Sequence, residues 1–175
     1  MRTLFSNVTQ FDTLLCMRIF SLNGRRILDY FMFSLSRMGD GYAYAAIGII
    51  LLFFFPDIRF QILPAALVAF AVEIPVFKIL KEKTKRDRPF VKIPGINFLI
   101  KPPDKFSFPS GHTAAAFLMA TILGAFFPML AVLFYALAAL IGFSRIYNGL
   151  HFPTDVLAGV ILGVTSAKIG LLIIL

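Results

Sequence analysis

The chain has 175 residues, 59% of them hydrophobic, with 17 Lys and Arg against 9 Asp and Glu and a net charge of +8. At a mean hydropathy of +0.86 a soluble domain of this length cannot hide its apolar surface, so lipid is the expected solvent and no separate soluble domain is expected. One cysteine, Cys16, excludes an intramolecular disulfide and a cysteine-based metal cluster. The cationic excess is expected at headgroup level near anionic lipids, and nucleic acid is not an expected partner.

In chain order, residues 11–22 and 27–38 read as amphipathic helices parted by the turn Asn23, Gly24, Arg25 and Arg26. Asp12 interrupts any apolar leader, so no cleavable signal peptide is expected. A continuous helix through both segments would bury Arg25, Arg26 and Asp29 at a cost of about 2.5–3.5 kcal/mol each. Residues 1–40 are therefore read as interfacial helices or a shallow hairpin, with a distorted first span as the alternative. Residues 42–55, 60–80, 113–127, 129–146 and 152–175 are five apolar spans, the third and fourth forming a hairpin at Pro128. The expected fold is all-α: a polytopic transmembrane bundle in one domain, with 41–175 as its main bundle.

Following the chain through these spans brings three polar stretches to one membrane face. Lys81 to Arg88 ends the second span, Ser110 opens the third, and Arg145 to Asp155 joins the last two. Pro109, Ser110, Gly111 and His112 open a helix whose first N–H groups lack partners, which suits an anion. Gly111 permits a phosphate to approach the backbone. The tetrapeptide alone is equally a plain serine cap. His151 and Asp155 are four apart, so a helix beginning at His151 would put them on one face. A carboxylate on one ring nitrogen would leave the other free to attack. Asp155 is otherwise simply a first-turn acid favoured by the helix dipole.

The run Lys81, Lys83, Lys85, Arg86, Arg88 and Lys92 is mostly a headgroup patch. Arg88 differs, because Pro89 keeps it out of helix and fixes a guanidinium able to fork two phosphate oxygens. Arg145 is a second such fork. Glu73 and Lys78 are costly inside a span, lie five apart and straddle Pro75, and they carry no assigned role.

Taken together, Lys81-x6-Arg88-Pro89, Pro109-Ser110-Gly111-His112 and Ser144-Arg145-x5-His151-x3-Asp155 resemble the three-part signature of the type 2 phosphatidic acid phosphatase superfamily, in a small bacterial-type form. The resemblance covers about the C-terminal two-thirds of the chain. It implies a helical bundle, usually of six spans, with no metal and no cofactor. It also implies a role for each matching residue. His151 is the nucleophile that forms a phosphohistidine, Asp155 its orienting acid, and His112 the general acid. Lys81, Arg88, Ser110, Gly111 and Arg145 form the phosphate cradle.

The expected reaction is hydrolysis of a lipid phosphomonoester or pyrophosphate, with isoprenyl pyrophosphate, phosphatidylglycerol phosphate, phosphatidic acid and lipid A phosphate all open. Transfer of the phosphoryl group to a second lipid is the alternative reaction, and a non-enzymatic lipid transporter is a further class. Oligomeric state is left open. The cations of the motif face point to the cytoplasm by the positive-inside rule. The resembled bacterial enzymes often work at the periplasmic or outer leaflet. The expectation carried forward is a bacterial inner membrane with the site facing the periplasm or outside.

Overall fold

The computed structural model describes residues 2–102 and 104–175, with side chains from residue 9 onward. Eight helices follow in order: α1 (Arg2–Phe20), α2 (Arg26–Met38), α3 (Gly41–Phe54), α4 (Arg59–Thr84), the single turn α5 (Pro89–Lys92), α6 (Gly111–Phe126), α7 (Ala131–Tyr147) and α8 (Pro153–Ile174). A 3₁₀ turn, Pro128–Leu130, joins α6 to α7.

Among the described residues, three helical stretches are long and apolar enough to cross a membrane: Arg59–Lys92, Pro128–Tyr147 and Pro153–Ile174. The expected count of five spans is not confirmed by length alone, although all five apolar runs are helical. Residues 42–55 form α3, which has only 14 residues. It passes the test only jointly with α2, from which it is bent by 58° at the break between them. Residues 113–127 form α6, which has 16 residues, below the ~20 a span needs. The reason is local. Asp40 stands in extended backbone and stops α2 from running into α3, while α6 starts only after the Pro109–Ser110 segment and ends at Pro128. The N-terminal segment is helical on both sides of its turn, with Gly24 at φ 97.

α6 is the axis of the bundle. It packs on α4, α7 and α8 and buries residues on every side, from Thr113 to Leu123. α8 can lie against both α6 and α4 because its contact stripe is glycine. A Cβ on Gly163 would sit 2.1 Å from the Ala114 carbonyl oxygen, one on Gly159 2.6 Å from that of Ser110, and one on Gly170 2.3 Å from that of Ala65. Backbone thus touches backbone, the geometry small residues permit between membrane helices. α1 and α2 pack on α7, where Met32 and Leu35 close over Tyr147.

The contact of α6 with α8 is what sets the ends of both helices side by side. Gly163→Leu is expected to lower the unfolding midpoint in detergent, at a cost of ~1–3 kcal/mol or more for overpacking. A midpoint equal to wild type would show that the two backbones do not meet.

Candidate active site

α4 ends because Lys85 adopts a left-handed conformation, φ 45, and its N–H bonds back to the Lys81 carbonyl. The chain then runs extended, and Pro89 opens α5 with Arg88 as its cap. Arg88 is 1% exposed. Its guanidinium donates to the Leu150 carbonyl at 2.8 Å and to the Asp104 carboxylate at 2.7 Å, and it stands 3.3 Å from His151 Nε2. Lys81 Nζ reaches the other Asp104 oxygen, also at 2.7 Å. Burial alone would raise the Asp104 pKa, but the two cations hold it below the usual carboxylate range.

Ser110 occupies the cap position of α6, yet its hydroxyl pairs with Thr113 Oγ1 at 2.9 Å rather than capping a backbone N–H. The amides of Gly111 and His112, at the start of α6 and among the cavity's lining residues, have no partner among the described residues. Gly111 is needed for clearance: a Cβ there would meet the Phe77 ring at 2.9 Å. His112 Nε2 lies 2.8 Å from Asp40, which also pairs with Arg37.

His151 follows a tight turn in which Leu150 and His151 both donate to the Arg145 carbonyl. Gly149 makes that turn possible. It has φ 72, and a side chain there would strike the Asn97 carbonyl oxygen. α8 begins at Pro153, after His151, so the expected common helical face with Asp155 does not form. Asp155 Oδ2 instead accepts from the Phe152 N–H at 2.8 Å and lies 3.8 Å from His151 Nδ1, too far for a hydrogen bond. The Ser107 carbonyl takes the Nδ1 proton, at 2.6 Å, which leaves the lone pair on Nε2. Burial, reinforced by Arg88, Arg145 and Lys81, pushes the His151 pKa well below its ordinary value. The ring is neutral at physiological pH.

Six of the eight expected site residues, Lys81, Arg88, Gly111, His112, Arg145 and His151, line one cavity of about 330 Å³. Ser110 and Asp155 are fully buried behind its wall. Among the described residues, no cluster of three or more His, Cys, Asp or Glu is arranged to hold a metal ion.

A sequence model of the PAP2 superfamily matches residues 63–174. The chain belongs to that superfamily. It is 38% identical over 102 residues to the bacitracin transport permease protein BcrC of Bacillus licheniformis, covering 58% of this chain and 50% of that protein. It is 30% identical over 158 residues to an undecaprenyl-diphosphatase of Sulfolobus acidocaldarius, covering 90% and 73%. The crystal structure of Aquifex aeolicus LpxE superposes with a TM-score of 0.79 at 31% identity, covering 90% of this chain and 92% of that one. The chain spans about half the length or less of several curated relatives it matches.

Around this PAP2 site the structure adds residues that sequence reasoning missed. Arg86, read as a headgroup charge, turns inward to bind Thr154, Asp155 and the buried Asp12 of α1. Asp12 also accepts from the Thr154 N–H at 2.9 Å, so α1 is tied to the start of α8. An acid within the amphipathic stretch 11–22 was the available signal for Asp12. Asp40 and Asp104 carried none, since each sits in a polar turn of ordinary composition. Asp104 spans two site cations, so it should compete with any bound anion. Asp104→Asn is expected to tighten inorganic phosphate binding about tenfold, read by calorimetry in detergent. Weaker binding would mean that Asp104 serves chiefly to hold Lys81 and Arg88 in place.

Proposed function

We propose that this PAP2 protein is an integral membrane lipid phosphatase working through a phosphohistidine. The observation that carries this reading is the buried, neutral His151, whose Nε2 lone pair lies beside Arg88 in a cavity that also holds Lys81, Arg145 and the start of α6. A phosphoryl group seated there would have its oxygens neutralised by the three cations and bonded by the free amides of Gly111 and His112.

His151 Nε2 then attacks phosphorus as the ester P–O bond breaks, and the leaving oxygen takes the Nδ1 proton of His112. Without a phosphate, burial and Arg145 hold the pKa of that ring down to about 4. To give the proton His112 must enter the step as an imidazolium, its Nε2–H on Asp40 and its charge favoured by the arriving phosphate. Water next attacks the phosphohistidine, gives its proton to His112, and breaks the P–N bond to release phosphate. The Ser107 carbonyl fixes the tautomer of His151, with Asp155 supporting the developing positive charge at 3.8 Å. Asp40 holds the ring of His112.

The apolar helices around the cavity and the name of the Sulfolobus relative favour a lipid phosphate or diphosphate as substrate. A site facing the periplasm or outside of a bacterial inner membrane completes the proposal, and labelling of an Asn97→Cys variant in intact cells tests that side.

Purified His151→Ala should lose turnover by several powers of ten on lipid phosphates while remaining folded. Phosphate release near the wild-type rate would sink the mechanism. A wild type without turnover on any lipid phosphate would leave standing the transport role that the name of the Bacillus licheniformis relative denotes. The depressed His151 pKa also has a sign. The neutral ring is the nucleophile, so kcat/KM should lose nothing from His151 protonation as pH falls from 8 to 6. An acid limb near the ordinary ~6.5 that persists in His112→Ala would contradict a neutral His151.

The two histidines should separate by leaving group. A nitrophenyl phosphate has an acidic leaving group that needs no proton, and a lipid monophosphate does not. His112→Ala should cost ~10²–10⁴-fold on the lipid and markedly less on the nitrophenyl ester. Equal losses on the two, with binding intact, would make His112 a phosphate-binding residue.

A further inference from the structure

Glu73 lies in the membrane-spanning α4, yet it is only 4% exposed and its carboxyl has no hydrogen-bond or ion-pair partner among the described residues. Lys78, the obvious candidate, makes no ion pair with it and stands exposed. A carboxyl within a membrane span is costly, and one that opens on a cavity without a partner marks a functional position. Its surroundings say which. Glu73 lines the same cavity as Lys81, Arg88 and His151, and it lies about two helical turns, ~12 Å, deeper along α4 than Lys81.

Tyr44 of α3 lines that cavity too, and its buried hydroxyl is likewise without a partner. Tyr44 and Phe70 also line a second cavity of about 330 Å³ between α3 and α4, walled by Leu51, Ile62, Leu67 and Met119. The order from the site inward is therefore cations, then two unpartnered hydrogen-bonding groups, then an apolar crevice.

That order matches one kind of amphiphile. We propose that Glu73 and Tyr44 form a subsite for the hydroxyl, ester or amide groups of an acylated glycerol or sugar backbone. The preferred substrate is then a phosphorylated acyl lipid, with its chains in the α3–α4 crevice. A polyisoprenyl phosphate has no hydrogen-bonding atoms at that depth and would leave both groups unpaired. The inference rests on the lipid phosphatase reading and narrows its substrate class.

The test compares phosphate release from diacylglycerol phosphate and from a polyprenyl monophosphate, in detergent, by wild type, Glu73→Leu and Glu73→Gln. Leucine fills the space without a polar atom, and glutamine keeps a donor and an acceptor. Glu73→Leu should lose about tenfold or more in kcat/KM on diacylglycerol phosphate, the usual consequence of an unmet hydrogen-bonding group. It should stay within about twofold of wild type on the polyprenyl phosphate. Glu73→Gln should retain most of the activity on both lipids. Equal losses on the two lipids, no loss on either, or a wild type that takes only the polyprenyl phosphate would overturn the subsite while leaving the phosphatase intact. A wild type inactive on both would overturn the phosphatase reading and the subsite with it.

Discussion

Buried cations at one end of the bundle are the constraint on which the rest of this structure depends. Lys81, Arg88 and Arg145 are each less than a tenth exposed, and charge at that depth is costly unless it is paired. The chain supplies only part of the pairing. Asp104 serves both Lys81 and Arg88, while Arg145 reaches the Ser36 hydroxyl and leaves its Nε without a partner. The free amides at the start of α6 add to the same positive potential. The fold thus gathers three buried cations around one cavity with a single carboxylate shared by two of them, which favours a bound anion.

Holding those cations together requires that four helix ends meet, and the glycine stripe of α8 makes the meeting close. With Gly159 against the Ser110 carbonyl and Gly163 against that of Ala114, the start of α8 lies beside the start of α6. The Ser110 N–H then bonds the Asp155 carbonyl at 3.0 Å. From the other side, Arg86 and Asp12 bind Thr154 and Asp155 and fasten α1 to the same junction. Packing that looks purely structural therefore determines where His151 stands relative to Arg88.

The orientation of His151 illustrates how backbone and side chain share a task. A main-chain carbonyl, Ser107, holds Nδ1, while Asp155 is committed to the cap of α8 and to Arg86. The acid lies 3.8 Å from the ring without competing for the proton that sets the tautomer. His112 is held differently, by the carboxylate of Asp40 from the turn between α2 and α3. The bent α2–α3 pair is thereby drawn into the site, and it supplies one wall of the cavity through Gly39, Gly41 and Tyr44.

The sequence by itself determined the family, the helical class and the convergence of Lys81, Arg88, His112, Arg145 and His151, because each lies at the border of an apolar run and the runs alternate direction. It also marked Glu73 as an expensive residue in a span. Only the tertiary structure decided which acids meet which bases. Asp40, Asp104 and Asp12 act on residues 16 to 142 positions away, and no local period encodes such pairings. The lengths of α3 and α6 followed the apolar runs closely, and the fold decided instead that α3 is bent by 58° from α2. Whether Asp155 or a carbonyl would hold His151 depended on the residue at which α8 begins. That boundary was fixed by Pro153 at the first turn and by the Asp155 carboxylate on the Phe152 N–H.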